Sequence, residues 1–123
     1  MDKKERAVTL KHSGYNCAQA VLCAFAEESE LTEDLLKRIG AGFGVGMGCM
    51  EGSCGALIGA EILLGLREYR AKPILQAARE LHQAFTEKCG ASLCKDLKGR
   101  DTGAALCACD DCIRCAVEWI ENR

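Results

Sequence analysis

Glycine falls on every second position from Gly40 to Gly48 and returns at Gly52, Gly55 and Gly59. Each glycine carries a large backbone-entropy cost on folding, so such density needs a structural reason. The usual reasons are positive φ angles, or a backbone approached closely by another backbone, a sulfur or a ligand. Cys49 and Cys54 sit inside the run. The segment therefore reads as a loop that wraps something and hands Cys54 to the helix that follows.

The remaining residues point to helices. The chain has 123 residues and one proline, and it lacks alternating runs of Val, Ile and Thr. That length fits one domain, spanning 1–123, with a respectable core. A net charge of −2 offers no basic face for nucleic acid. Ten cysteines are far above ordinary usage. In a secreted chain they would suggest a disulfide framework. The mixed charges of Met1–Arg6, with no apolar stretch and cleavage site after them, favour a cytoplasmic protein that uses thiols for metal or redox work. The apolar run Cys17–Ala26 is too short to cross a bilayer, so no membrane insertion is expected.

The predicted elements follow in order. Asp2 to about His12 forms an amphipathic helix with Ala7, Val8 and Leu10 inward. Asn16 caps a second helix from Cys17 to about Glu28, apolar nearly all round and therefore central. Thr32 caps a third helix that ends at Gly40. Ser53 caps a fourth, Cys54 to about Leu66, on which Gly55, Ala56, Gly59 and Ala60 make a small-residue face for close helix packing. Lys72-Pro73 begins a fifth helix with Ile74, Ala78, Leu81 and Phe85 as its core stripe. Ser92–Leu97 is a turn carrying Cys94, and 98–103 is a surface loop. A last helix starts near Asp110-Asp111, with Ile113, Ala116, Val117 and Ile120 inward. The expectation is an all-α, compact single-domain bundle of about five to six helices, with the glycine-rich loop before a central helix.

The cysteines sort by context. Cys17 and Cys54 each fall in the first turn of a helix, where unpaired N–H groups and the macrodipole favour thiolate, so both are candidate nucleophiles or ligands. Cys107, Cys109, Cys112 and Cys115 lie within nine residues, in overlapping pairs that can converge on one metal or close a disulfide. Cys49/Cys54 and Cys89/Cys94 share a looser separation, and Cys23 reads as core. No C-x-x-C-H occurs, so haem attachment is not expected; no phosphate-loop pattern occurs, so no nucleotide is expected. His12 and His82 read as packing or solvated histidines, and Glu61 as facing solvent or a partner.

Gly14-Tyr15-Asn16-Cys17-Ala18-Gln19-Ala20-Val21, the GFGxGMG run and Cys54-Gly55-Ala56-Leu57-Ile58-Gly59 together resemble a known family. It is the redox-active family named for its cysteine pattern C_GCAxxG_C_C, with a CGAxxG core segment, and the resemblance covers most of the chain. It implies four family cysteines: Cys17, Cys54, Cys94, and either Cys109 or Cys112. A similar domain in split-Soret cytochromes carries haem and an iron–sulfur centre; without C-x-x-C-H the haem part of that likeness does not transfer.

Three functions follow as expectations. The first is electron transfer through a cysteine-ligated iron–sulfur cluster, served by a redox partner protein. Its ligands would come from Cys17, Cys54, Cys94, Cys109 and Cys112, with the backbone of Gly44, Gly46, Gly48 and Gly55 against the cofactor. The second is a thiol–disulfide oxidoreductase with Cys17 or Cys54 as the attacking thiolate. The third is a non-catalytic metal-binding helical protein, dimeric through the Gly55/Gly59 face. Whether the protein is an enzyme stays open between them.

Overall fold

A computed structural model describes residues 1–123. It contains seven α-helices and no strand. They are α1 (Lys3–His12), α2 (Cys17–Ala24), α3 (Glu33–Gly40), α4 (Gly55–Glu68), α5 (Leu75–Cys89), α6 (Cys94–Lys98) and α7 (Cys109–Glu121). No helix is long and apolar enough to cross a membrane.

α2 is the central helix. It packs on α4, α1, α3 and α7, and Ala20, Val21, Leu22 and Cys23 are fully buried. Its start is fixed by a capping box. The Asn16 side chain accepts from the Gln19 N–H at 2.8 Å, and Gln19 Oε1 accepts from the Asn16 N–H at 2.9 Å. The same two side chains reach across to α3. Asn16 Nδ2 donates to the Gly40 carbonyl at 3.0 Å, and Gln19 Nε2 donates to that of Lys37 at 2.9 Å. Gln19, the one polar residue of an apolar helix, is thus the tie between α2 and the end of α3.

α2 ends at Ala24, earlier than predicted, and continues as a 3₁₀ turn over Ala26–Glu28. Glu27 and Glu28 oppose the negative C-terminal end of the helix. They turn instead to α1, where Arg6 and Lys3 meet them at 3.1 and 2.7 Å.

The small-residue face of α4 lies against α2. A Cβ on Gly55 would stand 3.1 Å from the Ala18 nitrogen, and one on Gly59 would stand 3.0 Å from the Ala18 oxygen. The face expected to serve a dimer is therefore covered within the chain. Most of the predicted core stripes are buried: Ala7 and Val8 on α1, Leu81 and Phe85 on α5, and Ile113, Ala116, Val117 and Ile120 on α7, whereas Leu10, Ile74 and Ala78 are only partly so.

Three boundaries differ from expectation. Cys54, not Ser53, is the N-cap of α4, and no side chain makes a cap hydrogen bond there. α5 begins at Leu75 because Ile74 is still outside helical geometry, at φ −110° and ψ 32°. The predicted turn at Ser92–Leu97 contains a short helix, α6, which raises the number of helices above the five to six expected.

Candidate functional site

The glycine run is built on left-handed backbone. Val45, Gly46, Met47 and Gly48 have φ of 52°, 57°, 61° and 84° in succession. Two of these are not glycine, and consecutive left-handed residues are strained in an L-chain. The turn is held from outside. The Gly52 N–H donates to the Gly46 oxygen at 3.0 Å and the Met50 N–H to the Val45 oxygen at 2.9 Å. The other edge of the loop is stitched to the segment before α6. The Cys54 N–H donates to the Ser92 oxygen at 2.8 Å, and the Cys94 N–H to the Gly52 oxygen at 3.0 Å. Ser53 and Leu93 form an isolated antiparallel bridge between them. Paired backbone therefore sets Cys54 and Cys94 side by side.

Around this junction lies a small cavity of about 20 Å³. Cys17, Cys54, Cys94, Cys107, Cys109 and Cys112 all line it, with Lys98 as its one charged residue. Cys17 and Cys109 are the first residues of α2 and α7, Cys54 caps α4, and Cys94 opens α6. Four helix starts thus converge on a wall of sulfur; α2, α4 and α7 offer unpaired N–H groups to negative charge, whereas those of Cys94 and Lys95 on α6 are taken by the Gly52 and Met50 carbonyls.

All ten cysteines are free thiols. Those of the cavity are differentiated by their neighbours. The Cys17 thiol beside it holds Cys109 down to about 6, with burial opposing and Lys98 and Lys11 helping. Cys17 keeps its proton in that contact and is pushed well above the ordinary thiol range. Cys54 is held down to about 7, first by the Cys112 thiol and then by the backbone N–H groups of Ala56 and Leu57. Cys112 is pushed up correspondingly; its sulfur also reaches the Cys107 carbonyl at 3.9 Å. Burial raises Cys94. The wall therefore carries two coupled pairs, Cys17 with Cys109 and Cys54 with Cys112, in each of which one thiol favours ionisation of the other.

The residues singled out from sequence divide as follows. Cys17, Cys54, Cys94, Cys109 and Cys112 meet at the cavity, and Gly46 and Gly55 line it with them. Gly44 stands outside, where a Cβ would come within 2.8 Å of the Asn16 Cβ, and Gly48 faces open space. Cys107 joins the wall although the sequence placed it only in the C-terminal group. Its C-x-C spacing with Cys109, across the start of α7, is the signal that could have found it. Cys23 is buried in the core and Cys49 is exposed. His12 is exposed and contacts Asp110 Oδ2 at 2.8 Å. Glu61 is half-buried, and desolvation raises its carboxyl to about 7.

A second feature adjoins the first. The sulfurs of Cys89, Cys107 and Cys112 all lie within 4.8 Å of one another, close enough to hold a metal ion.

Fold and site together define a helical, cysteine-centred protein with a sulfur cluster spaced to accept a metal ion. The sequence model of the family described as "Putative redox-active protein (C_GCAxxG_C_C)" matches residues 15–123, and the chain belongs to that family. Neither the curated proteins nor the solved structures compared with it gave a match.

Proposed function

We propose that the cavity is an electron-transfer centre, in which Cys17, Cys54, Cys94 and Cys109 hold an iron–sulfur cluster. The observation that carries this reading is the convergence of four cysteine-bearing helix starts on one enclosed space. A dithiol enzyme needs one pair of sulfurs with an accessible member. A cluster needs several thiolates from separate elements, shielded from solvent, with N–H groups to temper their charge. Cys54 and Cys94 are only 7% and 5% exposed, so half of the wall is out of reach of a protein substrate.

The donor set suits iron–sulfur chemistry, being all thiol with no carboxylate or imidazole in the lining. The volume of about 20 Å³ is close to that of one water, so a multi-atom centre requires the wall to open. Val45, on the left-handed turn, lines the cavity and is 52% exposed. When bound, the group would supply reversible one-electron chemistry. The protein's part is to supply ligands, exclude water and set the potential through dipoles and the Lys98 charge.

One observation favours a second reading. Cys17 and Cys109 are half-buried rather than buried, and Cys109 titrates near 6. That pair has the low pKa and the partial access that thiol–disulfide exchange requires. Anaerobic purification with iron and sulfide analysis separates the two. The cluster reading expects a coloured protein with both elements, and the exchange reading expects neither, with Cys17→Ser abolishing disulfide reduction.

A further inference from the structure

We propose that Cys89, Cys107 and Cys112, joined by Cys115, form a second metal site that takes one thiophilic d¹⁰ ion of the zinc class. Cys107 and Cys112 also line the larger cavity, but neither is among the four cluster ligands proposed there.

The three sulfurs of the trio already lie within 4.8 Å of one another. Zinc–sulfur bonds of about 2.3 Å place tetrahedral ligand sulfurs roughly 3.8 Å apart, so closing on an ion asks for a contraction of about 1 Å or less. The other cavity cysteines form no trio as tight. A spread wall suits a centre of several atoms, whereas a tight trio suits one ion.

The ligands come from three places that the fold fixes independently. Cys89 is the last residue of α5, just before the left-handed Gly90. Cys107 lies in the segment leading to α7. Cys112 and Cys115 are three residues apart on α7, hence on one face of it. Cys115 shares the groove floor with Cys89 but lies outside the tight trio, so it joins as fourth ligand by turning in on the ion. Cys89, Cys112 and Cys115 are 4%, 1% and 8% exposed. All four donors are thiols, the choice that selects soft ions over magnesium or calcium.

There is also a way in. A surface groove of about 410 Å³ is floored by Cys89, Cys107 and Cys115. Lys4, Lys88 and Arg114 stand on its rim. Asp111 and Glu118 stand there too, in salt bridges with these cations, so the rim is of mixed charge. Binding replaces four S–H bonds with four metal–sulfur bonds and releases four protons to solvent; no electron moves. The ion would pin the exposed loop that precedes Cys107 to the ends of α5 and α7, and so act on stability as well as on occupancy.

The test uses the wild-type chain, reduced and metal-free under anaerobic conditions, and reads alkylation of each cysteine by mass spectrometry with and without zinc. Neither Cys89 nor Cys115 lines the larger cavity, so these two report the second site alone. The expected result is at least tenfold slower alkylation of Cys89 and Cys115 with zinc present. The double variant Cys89→Ser/Cys115→Ser should bind one zinc fewer than wild type, while Cys17→Ser/Cys94→Ser keeps protection at Cys89. Unchanged alkylation of Cys89 and Cys115 in zinc-loaded wild type would overturn the proposal, as would full zinc stoichiometry in the Cys89→Ser/Cys115→Ser variant. Failure of the cluster reading shows separately, in the absence of iron and sulfide.

Discussion

Gly46 lies so close to Cys94 that a Cβ on it would stand 2.6 Å from the Cys94 Cβ and 3.4 Å from its sulfur. The alternating glycines thus have a specific use: one of them lets a left-handed turn approach a cavity cysteine with no side chain between.

Gly46→Ala should therefore cost more than backbone strain. Overpacking against Cys94 costs about 1–3 kcal/mol, and the left-handed φ of 57° adds strain on top. Denaturant unfolding should show that loss, and the iron retained on purification should fall with it. Gly48→Ala is the matched control: its φ is also positive, at 84°, but nothing lies within 4 Å. It should lose only about 1 kcal/mol and keep its metal.

The α2–α4 contact makes an opposing pair of glycines. A Cβ on Gly59 would meet Ala18 and Val21 at 3.0 and 3.1 Å, whereas one on Gly65 meets nothing within 4 Å. Gly59→Ala should destabilise by about 1–3 kcal/mol. Gly65→Ala, in the interior of the same helix, should stabilise by about 0.5–1 kcal/mol. Thermal or urea unfolding of both variants checks the sign of each.

The Cys17–Cys109 pair predicts a pH profile. In metal-free protein, alkylation of Cys109 should rise through about pH 6, far below the ordinary thiol range near 9, because the Cys17 thiol supports the thiolate. Cys17→Ala removes that donor and should move the profile upward. Rates of iodoacetamide labelling at Cys109 across pH 5–9 test both statements.

Glu61 predicts a pH dependence of stability. Burial raises its folded pKa to about 7 from the ordinary glutamate value of 4.5. Between these values the unfolded chain releases a proton that the folded chain keeps, so stability contributed by the protonated carboxyl falls as pH rises through that window. Glu61→Gln should remove the loss. Since the group is only half-buried, the gain at pH 8 is discounted for solvent to about 1 kcal/mol, with none at pH 4. Equal effects at both pH values would contradict this assignment.

Much of this was legible in residue pattern. Asn16 as cap, Thr32 as cap, the stop at Gly40 and the inward faces of α1, α5 and α7 all follow from local rules that depend on near neighbours. The glycine run announced close approach, and the cysteines at helix starts announced thiolate chemistry. Sequence did not reveal which cysteines meet. Cys107 and Cys54 share the wall only because α7 crosses α4, a long-range packing result with no local signature. Sequence favours Ser53 as the cap of α4 because it is the better capping side chain, yet its backbone is engaged in the bridge to Leu93 and the cap falls one residue later, on Cys54. Likewise α6 is too short for helical periodicity to show.

The central claim is that four cysteine-bearing helix starts hold a cluster. Its most direct test is iron and acid-labile sulfide, with electron paramagnetic resonance after reduction, on protein purified without oxygen. The expected result is iron and sulfide in matching amounts and a cluster signal on reduction. Both should be lost in Cys17→Ser and Cys94→Ser and kept in Cys49→Ser, which changes an exposed thiol outside the cavity. A colourless protein with no iron or sulfide, and ten titratable thiols even after anaerobic reconstitution, would contradict it.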